Sequence, residues 1–171
     1  MITISLIVIV SIISFIGFAN NNLYNGLMFL PYKKYQLYRN ITYAFVHINH
    51  IHLLLNMFNL LLFGVIAEKY IGDKLYILFC ISSIIVCIIP YQFRQIKIVG
   101  FSGVISGIIY LCVFHYPILF WISIPYLIYT WYADNHMNDS IAHASHLYGM
   151  MYAFFFELFF FPQTIFNIFV P

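Results

Sequence analysis

Long apolar stretches and short polar breaks follow one another along the chain. The apolar stretches cover residues 2–18, 50–70, 75–90, 101–114, 118–132 and 141–161. The longest polar interval, 19–46, holds Lys33, Lys34 and Arg39 among many Tyr and Asn residues, and tyrosine is favoured at a membrane interface. Shorter breaks fall at Gly72-Asp73, around Arg94 and Lys97, at His115-Tyr116-Pro117 and over 133–140. Pro125 predicts a kink in the fifth stretch, tolerable inside a protein bundle, and Pro162 ends the sixth. The pattern predicts six membrane-spanning helices.

Composition narrows the class. Of 171 residues, 64% are hydrophobic and 7% charged, whereas a soluble domain carries about a quarter charged residues. The mean hydropathy of +0.94 excludes an ordinary soluble globule, and a disordered chain would be polar. Seven Lys or Arg against five Asp or Glu give a net charge of +2. These cations are scattered, so no basic patch for nucleic acid forms. One span with its turns takes about 25 to 30 residues, which leaves almost nothing for a soluble domain. The expected fold is therefore an all-α membrane protein, a single transmembrane domain over 1–171, with any function inside the helix bundle. No Lys or Arg and no small-residue cleavage site marks the first stretch as a signal peptide, so it is read as a retained helix. Cys80, Cys87 and Cys112 lie in apolar runs without C-x-x-C spacing and read as packing residues.

Polar groups within membrane helices are expensive and mark candidate sites. Three clusters stand out. His47, His50, His52 and Asn56 open the second stretch. Gly100-Phe101-Ser102-Gly103 opens the fourth, with Ser106 and Gly107 one turn deeper. His143, Ser145, His146 and Gly149 open the sixth. With six spans, these three stretches run in the same direction, so all three clusters lie on one side, roughly 5 to 15 Å below the surface. Together they make a plausible single site.

The chemistry on offer is nucleophilic. A Ser flanked by Gly at a helix N-terminus permits close backbone approach, and unpaired first-turn N–H groups can stabilise an oxyanion. Such a Ser needs a base to take its proton, and His146 or His143 could serve. The only carboxylates on that side, Asp134 and Asp139, sit in the loop, so a Ser-His dyad is expected rather than a triad. Plainer readings exist for each element. Gly103-x-x-x-Gly107 is also a packing seam, an interfacial His can simply snorkel, and Asn56 can be an interhelical hydrogen bonder. Neutral imidazoles also suit zinc or copper, although no Cys or Glu joins these clusters.

The combination His47-x-x-x-x-His52-Leu53-x-x-Asn56-Met57, Gly100-Phe101-Ser102-Gly103 and His146-x-x-Gly149 resembles the rhomboid family of intramembrane serine proteases. The resemblance covers about residues 1–161. Arg39 matches the arginine of the family's long first loop, with Tyr38 where Trp is common, Glu68 matches a glutamate late in the second helix, and the segment from Asp139 to Gly149 resembles members with two His before the last helix. The resemblance implies Ser102 as nucleophile, His146 as general base, and His52, Asn56 and the Ser102 N–H as oxyanion hole. His47 and Gly100 would support the site. Gly103 and Gly149 would let the fourth and sixth spans approach and bring Ser102 to His146. It implies hydrolysis of peptide bonds in or near transmembrane helices of protein substrates, from a polar cavity open to one side, with no metal or cofactor.

Some positions depart from the family pattern. Ser106 stands where an aromatic stacking on the catalytic His is frequent, Tyr148 is too close to His146 to replace it, and Ala153 takes the place of a frequent second Gly. The alternatives are a catalytically inactive member that binds membrane clients and, further off, a His-rich metal-handling bundle. Lys33, Lys34, Arg39, Arg94 and Lys97 lie on one side and Lys69 and Lys74 on the other. That count places the first-loop side in the cytoplasm, whereas the family topology places it outside; the family topology is followed here.

Overall fold

The computed structural model of the chain describes residues 1–33, 35–94, 96–137 and 141–169. Lys34 and Asp139, both weighed above, lie outside the described residues. The helices are α1 (Ile2–Ala19), α2 (Asn21–Leu27), α3 (Arg39–Thr42), α4 (His50–Asn59), α5 (Val65–Ile71), α6 (Asp73–Ile88), α7 (Ser102–Phe114), α8 (Pro117–His136), α9 (His143–Phe160) and α10 (Pro162–Phe169). A widened π-helical turn, Leu60–Gly64, joins α4 to α5 without a break. Among the described residues the β structure is limited to one antiparallel bridge between Phe29 and Ile98.

The outer faces are apolar and exposed, as lipid contact requires. Ile12 and Phe15 of α1, Leu54 and Phe58 of α4, and Ile81 and Ile85 of α6 all point outward. The centre belongs to α7, which has nine of its 13 residues buried. It packs most extensively on α9, and also on α6 and α8. Gly103 lies beside Ser145 and Gly149, and further along the rings of Phe114 and Phe154 are 5.9 Å apart. The two helices therefore run parallel.

Among the described residues three helical stretches are long and apolar enough to cross a membrane: Ile2–Ala19, His50–Ile71 and Asp73–Tyr91. A fourth crossing is reached if α9 and α10, bent by 108° at Phe161, count as one. Six were expected. The shortfall has physical causes: α7 has 13 residues, about 20 Å at 1.5 Å per residue, and α8 interrupts its apolar run with Ser123, Pro125, Tyr126 and Thr130. The fifth stretch also runs further than expected, to His136, so Asp134 stands in the last turn of α8 rather than in a loop.

Buried polar side chains tie the first loop and α1 to the bundle. Arg39 donates through Nη1 to the carbonyls of Asn25 at 2.8 Å and Met28 at 2.7 Å. Tyr43 donates to the carbonyl of Ile84 at 2.7 Å. Glu68 accepts from the N–H groups of Ile2 at 2.7 Å and Thr3 at 2.8 Å. A carboxylate thus satisfies the free donors and positive end of α1.

Candidate active site

His47 is fully buried just ahead of α4. The N–H of Phe101 donates to its Nε2 at 3.4 Å. Nε2 therefore carries no hydrogen, and Nδ1 donates to Ser14 Oγ at 2.9 Å. The Ser14 hydroxyl in turn donates to the Phe45 carbonyl at 2.9 Å. This relay requires a neutral imidazole, and burial, with His52 beside it, pushes the His47 imidazole down to about 3. His47 thereby joins α1 to the segment that leads into α7.

That segment turns at Gly100, whose φ of +105° few other residues adopt. A Cβ there would meet His52 Cε1 at 2.8 Å, so the same glycine also makes room for the His52 ring. The Gly100 N–H donates to the Tyr43 carbonyl at 2.9 Å. The chain then enters α7 at Ser102, its first residue, where the backbone N–H groups have no intrahelical acceptor.

His146 lies in the first turn of α9, and its Nε2 is 2.9 Å from Ser102 Oγ. The approach depends on three glycines. A Cβ on Gly149 would fall on the Gly103 carbonyl, one on Gly103 would fall on Ser145 Oγ, and one on Gly107 would sit 2.8 Å from the Gly149 carbonyl oxygen. The edge of the His143 ring faces His146 with centroids 6.4 Å apart, and Tyr129 packs edge-on against His143 at 6.0 Å. Ser106, where a stacking aromatic is frequent, instead donates to the Ser102 carbonyl at 3.0 Å.

Asn49 caps α4, accepting from the His52 N–H at 2.8 Å. Asn56 donates one amide hydrogen to the His52 carbonyl at 2.8 Å, and an amide nitrogen has a second to give. His52 Nδ1 is buried without a hydrogen-bond partner, so Nε2 is the nitrogen left for a ligand. His52, Asn56, Ser102 and His146 line one cavity of about 870 Å³, which also reaches His143 and Asp134.

Most of the polar residues singled out from sequence thus gather at one end of the bundle. Ser102, His146, His52 and Asn56 face the cavity; His47 and Gly100 support the turn before Ser102; Gly103 and Gly149 form the seam. His50 lies apart, its ring 4.3 Å from that of Phe18 on α1. Among the described residues no group of three His, Cys, Asp or Glu side chains is placed to hold a metal ion. Sequence reasoning missed Ser14, which reads as packing inside an apolar stretch, and gave Asp134 no place at the site although it lines the cavity.

The family model of the Rhomboid domain matches residues 34–163. No curated protein matches the chain.

Proposed function

The chain belongs to the rhomboid family, and from that premise we propose that it is an intramembrane serine protease acting on transmembrane proteins through Ser102 and His146. The family is generally one of serine intramembrane proteases. With the apolar helices it marks this chain as an integral membrane protein. The observation that carries the finer reading is the 2.9 Å separation of His146 Nε2 and Ser102 Oγ, within the reach a nucleophile and its base need.

In this reading Ser102 Oγ attacks the scissile carbonyl carbon as His146 Nε2 takes its proton. The carbonyl π electrons move to oxygen, and the oxyanion is met by the Ser102 N–H, the free amide hydrogen of Asn56 and His52 Nε2–H. Collapse breaks the C–N bond, and His146 gives its proton to the leaving amine. Water, deprotonated by the same imidazole, then attacks the acyl carbon, and as the acyl–Oγ bond breaks His146 returns the proton to Ser102 Oγ and the carboxylic acid product leaves. Asp134 makes no bond to His146, and the reading assigns the proton transfers to Ser102 and His146. The single domain, 1–171, crosses the membrane six times in this reading. The short α7 starts below the surface, and the cavity brings water down to Ser102.

The reading is tested by cleavage of a reporter transmembrane substrate and by labelling with a fluorophosphonate. Wild type cleaves and is labelled; Ser102→Ala and His146→Ala do neither. Full cleavage by Ser102→Ala would remove the dyad. Absence of both activities in folded wild type would identify an inactive member.

A further inference from the structure

Asp134, in the last turn of α8, reaches across to α9. Its Oδ1 accepts from the Ala144 backbone N–H at 3.1 Å and from Arg94 Nη1 at 2.9 Å. One residue further on, the Ser145 N–H donates to the Tyr91 hydroxyl at 3.3 Å. Arg94 also lies over the Tyr91 ring, its Cζ 5.5 Å from the centroid. The first N–H groups of a helix have no partner within it, and the N-cap residue of α9, Ala142, offers no side-chain acceptor. Side chains from the end of the Asp73–Tyr91 stretch and from α8 therefore take up two first-turn donors. The next residue is His146.

We propose that Asp134, held by Arg94 and seconded by Tyr91, is a positioning residue that fixes the first turn of α9 so that His146 Nε2 stays within reach of Ser102. The proposal rests on the protease reading. Below this turn α9 is fixed independently by the contacts of Gly149 with Gly103 and Gly107. The cap adds to the seam at the turn that carries the base, where Ser145 also meets Gly103. Asp134 acts through the helix backbone: its Oδ1 is occupied by Ala144 and Arg94, and it makes no bond to the imidazole. The same carboxylate fastens the end of α8 to the start of α9, so a displacement of that end of α8 disturbs the base.

The test compares wild type, Asp134→Ala and Asp134→Asn as full chains in detergent. In Asp134→Ala, kcat falls about tenfold to a hundredfold, as a misplaced reacting group requires, KM stays within about twofold, and the unfolding transition is little changed. Amide exchange of Ala144 and Ser145 quickens, and the 15N signals of the His146 ring shift. Asp134→Asn keeps an acceptor oxygen and recovers most of kcat. An unchanged kcat, an effect confined to KM, or unchanged exchange at Ala144 and Ser145 would each overturn the proposal. Should folded wild type cleave nothing, the protease reading fails on its own. Exchange and the His146 ring signals then still decide the cap: quickened exchange with shifted signals supports it, and unchanged spectra sink it.

Discussion

The carbonyl oxygen of Gly103 stands where a Cβ on Gly149 would have to be. The contact is backbone on backbone, and it continues one turn along α7, where a Cβ on Gly107 would lie 2.8 Å from the Gly149 carbonyl oxygen. Ser102 directly precedes Gly103, and His146 precedes Gly149 by three residues. The closeness of this seam therefore sets the distance between hydroxyl and imidazole. Small residues at membrane-helix contacts act by permitting such approach, and here the approach is what assembles the site.

Gly149→Ala should accordingly separate α9 from α7. Overpacking of a close contact costs about 1–3 kcal/mol, and the hydrogen bond between Ser102 and His146 is lost with it. Thermal unfolding in detergent and reporter cleavage measure the two effects. Gly26→Ala is the control, since nothing stands within 4 Å of a Cβ there; it should leave both measurements near wild type. Wild-type cleavage by Gly149→Ala would show that the seam does not set the distance.

In the proposed mechanism His143 steadies the base rather than replacing it. Its ring meets His146 edge-on at 6.4 Å, with Tyr129 behind it, and such pairs contribute about 0.5–1.5 kcal/mol. His143→Ala should lower kcat by roughly threefold to tenfold, against complete loss in His146→Ala. His143→Phe, which keeps a ring, should recover part of the rate. Equal loss in His143→Ala and His146→Ala would give His143 a direct part in proton transfer.

What could be read from sequence, and what could not, follows from where the signals lie. Ser102, His146, His52 and Asn56 are polar residues at the ends of apolar stretches, where each is costly and therefore conspicuous. Gly103, Gly107 and Gly149 carry a recognisable small-residue spacing. The cap on α9 left no such trace, because the partners of Asp134 and Tyr91 are backbone N–H groups of Ala144 and Ser145, identical in every residue but Pro. Ser14 was invisible for the opposite reason: one of four scattered hydroxyls in an apolar helix, it reads as packing until His47 is found 2.9 Å away. Of the six apolar stretches, three or four meet the length and apolarity of a crossing among the described residues, because α7 has 13 residues and α8 carries polar positions within its run.

Asn56 should matter to the transition state more than to substrate binding. One amide hydrogen is committed to the His52 carbonyl at 2.8 Å, and the other is free for an oxyanion in the cavity. Asn56→Ala should lower kcat by about 10²–10³-fold with KM little changed, as for removal of an oxyanion donor. Steady-state cleavage of a reporter substrate at several concentrations separates the two constants. A rise in KM alone would assign Asn56 to substrate binding.

His47 makes the site's architecture sensitive to acid. Its imidazole is neutral in the fold and is held down to about 3, chiefly by burial and also by His52, whereas in the unfolded chain it titrates near 6.5. Between these values the unfolded chain binds more protons than the folded one. The stabilisation by the neutral imidazole is therefore complete above about 6.5 and declines as pH falls toward 3, by up to about 1.4 kcal/mol per pH unit. Protonation of Nε2 would also deny the Phe101 N–H its acceptor, next to Ser102. Thermal unfolding in detergent from pH 7.5 down to pH 4.5 should show a falling midpoint in wild type. His47→Gln, which is uncharged throughout, should begin less stable at pH 7.5 and lose less on acidification. Equal slopes in the two proteins would place the acid sensitivity elsewhere in the molecule.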